Sequence, residues 1–232
     1  MARTADARTR NEALYLDIRA QLLRGDLSPG QRIRTEDLCV AFGVSVSVVR
    51  EVLTRFTAQR LVMSEPNKGF RVTPITVEAI NDLCLLRSEL EGLAVRLAVE
   101  RGDVDWEASV IAAHHRLANA PRPSIAADPQ ANERWSILHS EFHAVCASGC
   151  GSPRLCAIRQ DLFDEAEIFR QYARLYGGER ATTQEHAAIT GAIMRRDAAL
   201  AEELVRAHVE RTARATLDAW NRPNRENAPA NS

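Results

Sequence analysis

The stretch that decides the fold of the N-terminal region is GVSVSVVREVL, residues 43–53. Gly43 and the valine after it predict a tight turn, and Ser45 is of a residue type favoured at a helix N-cap. Beyond Ser45, apolar side chains recur at the spacing of an amphipathic helix that runs to about residue 59. These apolar residues are Val48, Val49, Val52, Leu53 and Phe56.

The N-terminal turn of this helix supplies Ser45, Ser47 and Arg50, which can face DNA. The major groove of DNA admits one α-helix and exposes base edges that differ between base pairs. Arginine is the side chain best suited to bidentate contact with guanine or with a phosphate. The segment therefore predicts a recognition helix, although a solvated surface arginine is the alternative for any one position.

The segments on either side complete a winged helix-turn-helix. Residues 9–24 and 35–42 show helical patterns, with a Ser-Pro-Gly turn signal between them. After the recognition helix, residues 61–64 and 69–73 read as two short strands joined by a turn, which predicts a β-hairpin. Helices followed by such a hairpin are the parts of a winged DNA-binding domain.

Further DNA contacts are predicted at the tip of the wing and before the second helix. Asn67, Lys68 and Gly69 form the tip, where glycine permits a close approach to DNA. Arg34 precedes the second helix and is a candidate phosphate contact. Residues 1–75 carry 12 basic and 8 acidic side chains, against 18 and 23 in the remainder, which fits phosphate contact by the N-terminal third.

Beyond residue 74 the sequence predicts helices and no strand. The helical patterns lie at residues 76–100, 104–118, 130–148, 152–174, 180–195 and 197–220. We therefore expect a mostly α protein with a winged helix-turn-helix at residues 9–73 and an all-α six-helix bundle at residues 76–220. The first eight and the last twelve residues are predicted to be disordered tails.

Four histidines of this bundle have a spacing that suits a metal site. His139 and His143 are four residues apart on one predicted helix, so both imidazoles project from the same face. His186 and His208 lie on two later helices, and a bundle can direct side chains from several helices inward. Such a set suits a divalent transition metal, zinc or nickel. From spacing alone, ordinary core or surface histidines remain the alternative.

Arg87 and Glu91 lie in the middle of the apolar stripe of the first bundle helix. A buried arginine requires a partner, and Glu91, four residues on, is suited to be it. The alternative is that Arg87 points into a cavity and binds the carboxylate of a ligand. Glu141 and Glu185 neighbour the histidines in sequence and are expected to point elsewhere.

Composition and motifs restrict the compartment and the class. No apolar run approaches the ~20 residues that a membrane span needs, and the charged start lacks the apolar region of a signal peptide, so a cytoplasmic protein is expected. No HExxH, Glu-x-x-His pair or Gly-rich phosphate loop is found. A regulator is expected; the alternative is a metal-dependent helical-bundle enzyme with an accessory nucleic-acid-binding domain.

Residues 11–73 resemble the DNA-binding domain of the GntR family of bacterial regulators. The family's usual recognition-helix sequence is GVSRTPVREAL, where this chain has GVSVSVVREVL. Ser45 and Arg50 match that pattern. Val46 replaces an arginine that commonly contacts DNA, and Val48 replaces a proline. The resemblance implies an operator-binding protein that has lost one charged contact.

Residues 76–217 resemble the FCD ligand-binding domain of the FadR-type GntR subfamily. The matching pieces are RSELEGLA from Arg87, HSEFH from His139, QEH ending at His186, and AH ending at His208. In that family an acidic residue occupies the position of His139 and completes a metal site with three histidines. The HxxxFH pattern followed by CGSPRL is similar to the carbon-starvation-induced regulator branch, which implies a small dicarboxylate effector.

The resemblance also implies how such a protein works. The metal would do no hydrolysis; it would hold an effector carboxylate, with Arg87 as a second contact. GntR relatives dimerise largely through their C-terminal domains, so we expect a homodimer on a pseudo-palindromic operator of double-stranded DNA. Repression that the effector relieves is the expected mode.

Overall fold

The computed structural model describes residues 2–121, 129–177 and 182–221. The chain divides into two compact units, Met1–Thr76 and Val77–Ser232, and each is described by itself. We call them the first domain and the second domain. In the described residues the fold is mostly α with a small sheet, which confirms the predicted fold class.

The first domain contains three helices and three strands in its described residues. They are α1 (Ala2–Arg24), β1 (Arg32–Ile33), α2 (Thr35–Phe42), α3 (Val46–Ala58), β2 (Val62–Glu65) and β3 (Gly69–Val72). The predicted hairpin is present, with Val62 opposite Val72 and Glu65 opposite Gly69. β3 lies in the middle of an antiparallel sheet of order β1-β3-β2. Strand β1 was not predicted, because two residues carry no readable period.

Helix α1 begins at Ala2, so the prediction of a disordered tail over the first eight residues is wrong. The segment is rich in alanine and arginine, which have high intrinsic helix propensity, and it simply extends the amphipathic part by two turns. The predicted tail after residue 221 lies outside the described residues.

The core of the first domain forms where α1 packs against α3. Side chains from both helices and from the sheet are fully buried: Leu14, Ile18, Leu22, Val49, Val52, Leu53, Phe56, Leu61 and Val72. The ring of Tyr15 stacks on Phe56 with centroids 4.7 Å apart. Gly43 is the C-cap of α2 and adopts the left-handed conformation at φ +61°, which ends the helix and begins the turn into α3. The turn thereby leaves the start of α3 at the surface.

The second domain is helical throughout its described residues. Its helices are α4 (Val77–Arg101), α5 (Val104–Ala118), α6 (Pro129–Ser148), α7 (Pro153–Gly177), α8 (Thr183–Met194) and α9 (Ala198–Asn221). Each corresponds to one of the six predicted helical segments. Helix α4 packs against α6, α7 and α9, while α5 packs against α6 and α8.

The second domain has an apolar core and, beside it, a polar one. Val99, Trp106, Phe142 and Ile193 belong to the apolar core, to which α4, α5, α6, α8 and α9 contribute. The ring of Phe142 borders the polar core, with its centroid 5.1 Å from that of His186. The polar core contains buried arginine, glutamate and histidine side chains from five helices.

The part of the chain that the structure describes holds no helix with the length and hydropathy of a membrane span.

Candidate functional site

The start of the recognition helix α3 is exposed. Ser45, Ser47 and Arg50 all lie at the surface, as the sequence predicted for residues that face DNA. Ser45 occupies the N-cap position, but its side chain does not cap the helix. Its hydroxyl instead lies 2.8 Å from that of Ser47. The face therefore presents two hydroxyls and one guanidinium to solvent.

The wing tip is a tight turn between β2 and β3. Asn67 and Gly69 adopt left-handed backbone conformations at φ +61° and φ +86°, and Asn67, Lys68 and Gly69 are all exposed. Arg71 braces the hairpin, since its Nε donates to Glu65 Oε1 at 3.2 Å. Arg34, directly before α2, is exposed as well. All seven residues predicted to contact DNA are thus accessible on the first domain.

The four histidines of the second domain meet in its polar core. His139 and His143 come from α6, His186 from α8 and His208 from α9, and each is at most 3% exposed. One ring nitrogen from each lies within 4.8 Å of those of the others. The Nε2 atoms of His139 and His143 are 3.2 Å apart. The structure therefore brings together the set that the spacing singled out.

Carboxylates lie behind two of these imidazoles. Glu91 Oε2 is 3.5 Å from Nδ1 of His143, and Glu185 Oε2 is 2.7 Å from Nδ1 of His208. The expectation that Glu185 points elsewhere is therefore wrong, because α8 and α9 pack so that this carboxylate reaches across to His208. Glu141 does point away and accepts from exposed Arg116 at 2.6 Å.

The ring of His139 is enclosed by aromatic side chains. Trp135 stacks on it with centroids 4.6 Å apart, and Phe163 lies 5.6 Å away. Burial lowers the pKa of His139, and it lowers that of His143 to about 3. Both rings are therefore neutral at pH 7, and a neutral imidazole has a lone pair available for a metal ion.

Arg87 and Glu91 form a buried ion pair. Nε of Arg87 donates to Oε1 of Glu91 at 3.0 Å, and its Nη2 contacts the same oxygen. Burial alone would raise the pKa of Glu91, but the guanidinium groups of Arg87 and Arg159 hold it well below its usual range. The structure thus shows Arg87 with the partner that lies four residues on; its predicted role toward an effector is untested and remains a prediction.

Helix α7 contributes functional candidates that sequence reasoning missed. The guanidinium carbons of Arg87, Arg159 and Arg170 lie 5.1, 5.4 and 4.2 Å from the ring centroid of Phe163. Arg159, Phe163 and Arg170 are spaced by four and seven residues, which puts them on one helix face. That period was the available signal. It was missed because a buried helix face is recognised by its apolar residues, and this face carries two arginines.

Comparison with known proteins identifies both domains. Residues 10–72 match the family described as bacterial regulatory proteins, gntR family, and residues 82–211 match the FCD domain. The uncharacterized HTH-type transcriptional regulator BphR of Paraburkholderia xenovorans is 31% identical over 89% of this chain and 84% of its own length. The HTH-type transcriptional repressor GlaR of Escherichia coli is 30% identical over 84% of this chain and 90% of its own length.

Solved structures of GntR-type regulators share the fold of this chain. McbR/YncC of Escherichia coli superposes with a TM-score of 0.76 at 21% identity, covering 91% of this chain and 99% of that one. A GntR transcriptional regulator from Rhodococcus superposes with a TM-score of 0.73 at 22% identity, covering 90% of this chain and 98% of that one.

A winged helix-turn-helix joined to a helical domain defines a DNA-binding transcriptional regulator. The chain belongs to the GntR family and carries an FCD domain. The relatives are named transcriptional regulators. The alternative of a metal-dependent helical-bundle enzyme is therefore rejected.

Proposed function

We propose that this regulator is a homodimeric repressor whose operator binding is controlled by a small carboxylate effector held at a metal ion in the second domain. The observation that carries this proposal is the cluster of four buried histidines inside the FCD domain, with ligand nitrogens within 4.8 Å of one another. The metal is zinc or nickel, which imidazole ligands favour.

The residues present fit such an ion. Two imidazole nitrogens bound to one tetrahedral zinc at ~2.0–2.1 Å would lie roughly 3.3 Å apart, and the Nε2 atoms of His139 and His143 are 3.2 Å apart. Glu91 and Glu185 lie behind His143 and His208, and such carboxylates orient metal-bound histidines. The imidazole of His139 supplies a neutral ligand where the family has a carboxylate.

When bound, a divalent ion would supply positive charge that attracts an effector carboxylate. A cleft lies between α4, α7 and α9, and Arg87 and Arg170 both line it. Its other walls are mainly apolar, including Ile80 and Phe169. An apolar cleft with cationic groups suits a small organic acid, and a dicarboxylate is the class we propose.

Effector binding would act through the dimer. Two recognition helices of a symmetric dimer bind two half-sites, so any change in the placement of the two first domains alters operator affinity. The coupling free energy must come from a difference in effector affinity between the two arrangements. Relief of repression is the proposed sign, and the relative GlaR, 30% identical, is named a repressor.

The test is a gel-shift assay with DNA from upstream of the gene, zinc or nickel, and small mono- and dicarboxylic acids. We expect a shifted complex that metal plus acid releases. In His143→Ala, DNA binding should persist and the response to acid should be lost, with circular dichroism unchanged. Serine at neighbouring position 140 offers a matched control, Ser140→Ala. An unaltered acid response in His143→Ala would rule out the metal-held effector.

A further inference from the structure

Two buried arginines of the second domain use the same edge of the guanidinium group. Arg87 donates Nε and Nη2 to Glu91, with Nε at 3.0 Å. Arg170 donates Nε and Nη2 to Glu167, with Nε at 2.9 Å. On this edge the two N–H groups point the same way, so that they match the oxygens of an anionic group. In both arginines a carboxylate of the chain occupies it.

The corresponding edge of Arg159 is open. Arg159 is 2% exposed, and its Nη1 donates to Oε1 of Gln160 at 3.2 Å. Its Nε and Nη2 have no hydrogen-bond acceptor among the residues that the structure describes. The carboxylate of Glu91 approaches to 3.8 Å of Nη2, beyond hydrogen-bond distance. A buried cation with two unpaired donors is unfavourable unless an acceptor arrives from outside the chain.

This open edge lies one side chain away from the histidine cluster. Glu91 Oε2 is 3.8 Å from Arg159 and 3.5 Å from Nδ1 of His143. Phe163 makes a second bridge, because its ring centroid is 5.4 Å from the guanidinium carbon of Arg159 and 5.4 Å from the ring centroid of His143. The Nε–Nη2 edge of Arg159 and the histidine cluster therefore lie close together in the same polar core.

We propose that the Nε–Nη2 edge of Arg159 binds a second anionic oxygen group of the effector, a carboxylate or a phosphate, while the first is held at the histidine cluster. This inference rests on the proposed function and adds a selectivity-determining residue to it. A monocarboxylate would leave the edge unpaired, so the site would select acids with two anionic groups.

The experiment compares butyrate, succinate and 3-phosphonopropionate by calorimetry on the zinc-loaded full chain. Arg159→Lys keeps the positive charge beside Glu91 but removes the two-pronged edge. Arg154→Lys, an exposed position on the same helix, is the matched control. Succinate or 3-phosphonopropionate should bind the wild type more tightly than butyrate. The tighter binder of the two shows whether Arg159 prefers a carboxylate or a phosphate-like group. Arg159→Lys should lower the affinity for that acid by about 10- to 100-fold. Its affinities for butyrate and for zinc should stay at the wild-type values.

Two results would overturn the inference alone. One is equal affinity of the wild type for butyrate and both two-anion acids; the other is an Arg159→Lys variant that keeps the wild-type preference. In either case acid binding at the metal would still stand. A wild-type protein that binds none of the acids would overturn the proposed effector site as well. Loss of zinc binding in Arg159→Lys would show that Arg159 supports the fold of the cluster instead.

Discussion

The two domains place their candidate functional side chains differently with respect to solvent. In the first, Arg50 and Lys68 are exposed, and the described buried side chains beneath them are apolar or aromatic. In the second, the histidines and their charged neighbours are themselves buried. Recognition of a large ligand such as DNA needs an exposed surface, whereas a small acid can be enclosed. The proposed function and the stability of the fold therefore depend on separate residues in the first domain and on the same residues in the second.

The largest effect should come from removing a buried charge of the second domain. Glu91→Ala leaves the guanidinium groups of Arg87 and Arg159 without their shared carboxylate, so the free energy of unfolding should fall by about 3–5 kcal/mol. Urea unfolding followed by circular dichroism measures it. Glu100→Ala, at an exposed position of the same helix α4, should change stability by less than about 1 kcal/mol. Equal costs for the two variants would contradict the contrast between buried and exposed charges.

On the first domain, the comparison predicts loss of function without loss of stability. Arg50→Ala should weaken specific DNA binding by about 1–3 kcal/mol for each recognition helix, because a bidentate base contact is removed. Its free energy of unfolding should stay within about 0.5 kcal/mol of the wild type. Competition between the upstream fragment and random DNA measures the first quantity. A loss of stability in Arg50→Ala would contradict the separation of function from stability in the first domain. So would an equal loss of DNA binding in Arg154→Ala, a variant of the second domain.

A smaller effect should separate two glutamates that adjoin histidines in the sequence. Glu185→Gln removes the charge behind His208, which should lower zinc affinity about 10- to 100-fold. Glu141→Gln should leave zinc affinity unchanged, because Glu141 contacts exposed Arg116 rather than a histidine. Titration with zinc against a competing chelator gives both constants. If the two variants bind zinc equally, the carboxylate of Glu185 does not orient a metal ligand.

The smallest effect concerns the missing charge at the start of α3. Val46 is 46% exposed where the family commonly has an arginine. Val46→Arg should add one phosphate contact, so log affinity should fall more steeply with log salt by about 0.9 per contact. Stability should not change. The same substitution at Val104, which is 74% exposed on the second domain, serves as the control. Parallel salt dependences for Val46→Arg and the wild type would place position 46 away from the DNA.

Much of the fold was predictable because its signals are local. The period of apolar residues gave the six bundle helices, with α5 at the predicted bounds of residues 104–118. The hairpin followed from its Pro-Asn turn. Strand β1 was not predictable, since Arg32 and Ile33 become a strand only by pairing with Arg71 and Phe70 of β3. Helix α1 was predicted too short because its first turns have propensity without amphipathic pattern.

The candidate site was predictable in part. The four-residue spacing of His139 and His143 put two imidazoles on one face, and His186 and His208 on two later helices completed the predicted set, which the resemblance then supported. The contact between Glu185 and His208 was predicted wrongly, because the two residues lie 23 positions apart on different helices. Arg159 was missed although it shares a helix face with Phe163 and Arg170, since an arginine in a helix is usually solvated and the spacing alone does not show that it is buried.

By itself the sequence determined the winged helix-turn-helix, the helical second domain and which side chains are predicted to face DNA. Those follow from residue periodicity and turn chemistry, which act over a few positions along the chain. The packing of α4, α6, α7, α8 and α9 decided the rest: which carboxylate lies behind which histidine, and which arginine keeps an open edge. Such contacts depend on the rotation and depth of each helix in the bundle, and these are set only when the side chains of all five pack together.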